Sequence, residues 1–182
     1  MADLALGDAE LRRAGDPAFW RALCPDAALT DNPFHGVPCD VPPPTLERAH
    51  DQLTTEGYLH TGPLLPDAEC RALAALALRL HERGLPPPFA LAYDDPWRAL
   101  WRLSGLLDPL LGGAYRVLPD FWLWIVGPQH EPGGWQPHRD MEKPDPLRDG
   151  LPELLTVWVL FTDATPLNGC IYALPQIGRA HV

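Results

Sequence analysis

The strongest constraint on the fold is a change of hydrophobic period at Gly112-Gly113. Before that pair, apolar residues recur at helical spacing, and after it they gather in short β-branched and aromatic runs. Leu46, His50 and Leu53 fall four and three apart, as on one helix face. Pro66-Asp67 reads as a helix start for a stripe of Leu73, Ala74, Leu76, Leu78 and Leu80, and Gly84 ends it. Pro96 to Leu111 places Trp97, Leu100, Trp101 and Leu103 at near-helical spacing. These Leu and Trp residues are expected to be ordinary core. Beyond the glycines, Phe121 to Val126, Leu154 to Phe161 and Cys170 to Leu174 read as buried strands, with a turn over Thr162 to Gly169. Helices first and strands later make an α+β chain whose sheet half carries the chemistry.

The first 44 residues offer one helix candidate, Ala9 to Ala14, and then Pro- and Asp-rich sequence that reads as an extension draped over a core. Proline is abundant, 23 in 182 residues, or about 13% against a usual ~5%. The runs at Pro42 to Pro44, Pro86 to Pro88 and Pro128 to Pro152 point to ordered loops, not helix or central strand. No internal repeat is visible.

A formal charge of −10 argues against a nucleic-acid footprint and a polybasic membrane surface. No run is long enough to span a membrane, and Met1 to Leu4 lacks the shape of a signal peptide. Cys24, Cys39, Cys70 and Cys170 show no Cys-x-x-Cys spacing and read as reduced thiols of a cytoplasmic protein.

The chemistry points to Pro137-His138-Arg139-Asp140. On a strand, residues 138 and 140 face one side, so an imidazole nitrogen and a carboxylate oxygen can meet at one metal ion. A second histidine from elsewhere would complete the facial triad of a non-haem Fe(II) oxygenase, with positions left open for cosubstrate and O2. With seven histidines in the chain, one such pair arises easily by chance, and its weight comes from its surroundings.

Those surroundings are Gly57-Tyr58-Leu59 leading to Leu64-Leu65-Pro66, the His-x-Asp, Leu155-Thr156-Val157-Trp158, and Asn168-Gly169-Cys170 running to Pro175. In order and spacing they resemble the phytanoyl-CoA dioxygenase family across roughly Gly57 to Pro175. The resemblance implies a double-stranded β-helix, or jelly-roll, core with helices packed outside. It also implies Fe(II) and 2-oxoglutarate as cofactors, O2 and a small organic molecule as substrates, and hydroxylation of a C–H bond. By position, His138 and Asp140 match the first two iron ligands. Trp158 matches an aromatic bordering the 2-oxoglutarate pocket, although core packing is an equal reading of it. Related halogenases replace the carboxylate with a small residue, so Asp140 favours hydroxylation.

The resemblance also implies a late histidine ligand and an arginine for the distal carboxylate of 2-oxoglutarate, and neither position falls within this sequence. Ile177 to Val182 reads as translated adapter sequence, so Arg179 and His181 are given no role. The expected organisation is an extension over 1–44, a partial domain over 45–175 and a non-native tail over 176–182, and the chain as given is expected to be inactive. His35, His50, His60 and His81 read as solvent or core residues. His130 and Glu131 are candidates for the mouth of the site, Arg139 for an ion pair on the opposite face, and Lys143 to Arg148 for a substrate-facing loop. Two other functions stay open: a non-catalytic jelly roll that binds a small molecule or partner, and a cupin-like metal enzyme of another type.

Overall fold

The computed structural model describes residues 12–126, 137, 138, 140 and 147–175. Ala9 to Leu11, His130, Glu131, Arg139, Lys143 to Pro146, Arg179 and His181, singled out above, lie outside the described residues. Residues 12–14 are helical, at the end of the expected Ala9 to Ala14 helix; after them come four α-helices, one 3-10 helix and one hairpin among the described residues, which gives a mixed α and β chain.

Helix α1 (Pro17–Leu23) lies within the stretch expected to be irregular. Its signals are local. The Asp16 side chain accepts the Ala18 N–H at 2.8 Å, and Pro17 sits in the first turn, where no intrahelical donor is needed. Trp20, Leu23 and Cys24 are buried against Leu76, Leu80 and Tyr93, so the segment expected to drape over the core supplies part of it. The Tyr93 hydroxyl donates to the Trp20 carbonyl at 2.8 Å, and the Trp20 indole N–H donates to the Ala14 carbonyl at 2.7 Å.

Helices α2 (Pro43–Glu56) and α3 (Asp67–Glu82) follow the expected periods. Two of the proline runs correct the expectation that they exclude helix. Pro43 and Pro44 open α2, and Pro87 and Pro88 open the 3-10 helix (Pro87–Ala92), because a first turn tolerates a missing N–H. Leu73, Leu76, Ala77 and Leu80 of α3 are buried, whereas Leu78 of the expected stripe is exposed. The helix stops at a Schellman motif: the Leu85 N–H reaches the Leu80 carbonyl at 2.9 Å, and the Gly84 N–H reaches the His81 carbonyl at 2.9 Å. Gly84 has φ of 73°, a conformation that a Cβ would strain.

Helix α4 (Asp94–Leu111) crosses this layer and ends at Gly112. Its start is fixed by a buried carboxylate. Asp94 accepts the Thr30 N–H at 3.0 Å and the Thr30 hydroxyl at 2.8 Å, so no lone buried charge results. Glu69 of α3 pairs with Arg102 of α4 in a fork of 3.1 and 2.7 Å. Leu65, Leu73, Ala99, Leu103 and Leu107 close the middle of the core, and Ala49 of α2 meets Leu106 and Leu110 beside it.

The β content differs from the sequence expectation. Among the described residues the ladder is a two-stranded antiparallel hairpin, β1 (Leu147–Arg148) and β2 (Leu151–Pro152), turned at Asp149-Gly150. It rests on the helices through Leu151, which fills the space beside Gly112, and through the Gly150 carbonyl, 3.3 Å from His50 Nε2. The segments 121–126, 154–161 and 170–174 carry no ladder, and no jelly-roll sheet is formed among the described residues. Strand pairing needs a second backbone alongside, and here 121–126 and 154–161 meet helices instead, while 171–174 are exposed.

Alternation survives without pairing in 121–126 and, broken at Val157, in 154–161, whereas 171–174 are exposed throughout, which corrects the expectation of buried strands. Phe121, Leu123 and Ile125 are partly buried, Phe121 against Trp97 and Leu123 against the first core cluster. Trp122 and Trp124 face outward at 51% and 48% exposure and stack with centroids 6.0 Å apart. Leu155, Val159 and Phe161 likewise pack on the helical layer, while Thr156, Trp158 and Leu160 remain exposed, as does Val157.

Candidate metal centre

One carboxylate joins two parts of the sheet-like half. The Thr156 hydroxyl donates to Asp140 Oδ2, bridging sixteen residues. The other oxygen, Asp140 Oδ1, lies 3.2 Å from His138 Nε2. The two side chains are about half exposed, so the group is open to solvent and to a ligand. His138 and Asp140 therefore converge, although the backbone there belongs to no ladder and the pleat is not what brings them together.

Thr156 is the residue that sequence reasoning passed over. Its signal was present in the period: it stands two positions before Trp158, and alternate residues of an extended segment share a face. Trp158 is 46% exposed on that outward side. Leu155 and Val159, its neighbours of opposite parity, hold the segment to the helices.

The turn that follows is closed by one side chain. Asn168 Nδ2 donates to the Asp163 carbonyl at 2.8 Å, and the Thr165 hydroxyl donates to Asn168 Oδ1 at 3.2 Å. The Cys170 N–H returns to the Thr165 carbonyl at 3.2 Å. Asparagine is suited to this place because its amide offers a donor and an acceptor at once. Gly169 approaches Val126 so closely that a Cβ would stand 2.6 Å from Cγ1, so turn and aromatic segment touch.

Other ionisable groups offer less. The four cysteines are free thiols. Burial, with the charges of Asp67 and Glu69, pushes the Cys70 thiol up, away from a reactive thiolate. His35 lies 3.2 Å from the Asn32 carbonyl and His50 meets the hairpin turn. Among the described residues no three His, Cys, Asp or Glu side chains stand close enough to hold a metal ion together. A cavity of about 440 Å³ is lined by Cys39, Asp40, Leu64 and Arg102, and a smaller one of about 210 Å³ by His35, Glu69, Arg98 and Trp101. Neither is lined by His138 or Asp140.

Residues 89–176 match the family model described as phytanoyl-CoA dioxygenase. The match covers a little under half of the chain and supports the resemblance to the phytanoyl-CoA dioxygenase family. The match begins at Phe89, in the 3-10 helix, and not at Gly57 as the motif reading had it. It takes in His138, Asp140, Thr156, Trp158 and the Asn168 turn, and leaves α1 to α3 outside. No curated protein and no solved structure matches the chain. The phytanoyl-CoA dioxygenase family is one of oxygenases that use iron and 2-oxoglutarate and act on small molecules with O2. No helix among the described residues is long and apolar enough to cross a membrane.

Proposed function

We propose that the protein is an Fe(II)- and 2-oxoglutarate-dependent dioxygenase that hydroxylates a small organic substrate, with His138 and Asp140 as two of the iron ligands. The observation that carries the reading is the convergence of His138 Nε2 and Asp140 Oδ1 at 3.2 Å inside the family segment. Two donors on neighbouring corners of an octahedron, with bonds of about 2.1 Å, lie about 3.0 Å apart, so this pair suits one ion. A neutral imidazole and a carboxylate are also the donor types that a non-haem iron site takes. Asp140 fills the position that a halogenase leaves open for chloride, which favours hydroxylation.

In this reading the outward faces of 121–126 and 154–161 line the inside of a jelly roll, and Trp158 borders the 2-oxoglutarate pocket. The third ligand and the arginine for 2-oxoglutarate come from outside the described residues. When bound, iron and 2-oxoglutarate supply oxidative decarboxylation to succinate and CO2, coupled to insertion of oxygen from O2 into a C–H bond. The chain's own contribution is positional. His138 would offer its Nε2 and Asp140 its Oδ1 to the metal, and Trp158 would offer an apolar wall that excludes water from its side of the site.

The test is Asp140→Ala in a version of the protein that extends through the late histidine and arginine. It should abolish iron-dependent release of succinate from 2-oxoglutarate, by a factor of about 100 or more. Wild-type turnover in that variant would remove Asp140 from the site. Metal uptake by the parent protein without any succinate would favour the non-catalytic binding reading instead.

A further inference from the structure

We infer that Thr156 is a positioning residue for this centre: its hydroxyl engages Asp140 Oδ2 and so leaves Oδ1 alone to face a metal beside His138 Nε2. The inference rests on the proposed iron site and adds to it a residue that sets how the carboxylate binds.

An ionised aspartate accepts only, with two oxygens that exchange places when the carboxylate rotates. Left to itself it can bind an ion through both oxygens, which would take up a position that cosubstrate or O2 needs. A hydroxyl donates without adding a charge beside the metal, and Thr156 donates to Oδ2. Its frame is firm on one side. Leu155 and Val159 are seated against Leu65, Leu73, Ala99, Leu103 and Leu107, and a β-branched side chain has little freedom at χ1. The helical layer, through the segment 155–161, thereby sets the rotation of a carboxylate in a loop.

Substitution of Thr156 by valine keeps the shape and deletes the donor, whereas serine keeps the donor and deletes the methyl. Co(II) serves as the probe, because its visible absorption reports ligand number and geometry. Thr156→Val in Met1–Val182 should weaken Co(II) uptake about tenfold and change the visible band, as for loss of a ligand's supporting hydrogen bond. Thr156→Ser should restore both, and the metal-free unfolding midpoint should be the same in all three proteins. Wild-type affinity and spectrum in Thr156→Val would overturn the inference. So would a serine variant as impaired as valine, or an unfolding midpoint that falls in step with affinity. Asp140→Ala separates the two levels. If it loses Co(II) while Thr156→Val does not, the role of Thr156 alone is wrong. If it binds Co(II) like wild type, the metal reading fails and the inference with it.

Discussion

Tyr115 shows how a single side chain links the two halves. It packs on the middle core cluster beside Leu155, Val159 and Phe161, just past the end of α4. Burial, and then the hydrogen bond and charge of Asp108, push its phenol up to about 12 from an ordinary 10.0. The sign follows from linkage. The folded state prefers the protonated phenol, so stability is whole below pH 10 and falls as pH rises from 10 toward about 12. Tyr115→Phe should therefore flatten the alkaline limb of the stability curve, as read by urea unfolding across that range. A limb of unchanged steepness in Tyr115→Phe would assign the loss to other groups. His138 and Asp140 were legible at this scale because their spacing is a motif in itself. Thr156 was not, because a threonine in a β-branched run carries no mark of its own until its partner is in view.

At the scale of elements, α4 carries two residues that its own propensity would reject. Pro109 lies in its interior and gives up the bond to the carbonyl four residues back, that of Gly105. Gly105 is needed for a different reason. The chain at Cys39 crosses the helix there, donating its N–H to the Arg102 carbonyl at 2.7 Å, and a Cβ on Gly105 would collide with the Cys39 carbonyl. On propensity alone Gly105→Ala would stabilise the helix by about 1 kcal/mol. The clash is with backbone, and overpacking of this kind costs about 1–3 kcal/mol or more, so the expected sign is the reverse. The variant should unfold at lower urea than wild type with helix content retained, and a gain in stability would show that the crossing is loose. The helices themselves were readable from Leu spacing and from prolines and glycines at their ends. Helix α1 had the same signals, Asp16 before Pro17 and then Trp20 and Leu23, hidden in sequence rich in Asp and Pro. Of the expected strands, 121–126 alternates without pairing, because alternation belongs to one segment and a ladder to two.

Across the whole molecule, buried hydrophobic residues run from Trp20 to Leu110, while Trp122, Trp124, Trp158, Leu160 and Tyr172 are among the large exposed ones. Local stability should follow this division. In hydrogen exchange, amides of α3 and α4 should be the slowest, and those of 155–161 fast despite their apolar character, since no ladder holds them. Protection at 155–161 equal to that of α4 would mean that the segment is paired in solution. The sequence by itself determined most of the helices, several of their ends and the family resemblance of residues 89–176. Each of these is written in neighbours within a few positions, or in motifs that keep their order along the chain. Tertiary structure alone decided that Thr30 closes over Asp94, that Cys39 lies on Gly105, that one face of each aromatic run is covered by helices, and that Thr156 holds Asp140. The three pairs are 64, 66 and 16 positions apart. Which of many distant groups meet is set by how the helices pack, and no local pattern encodes it.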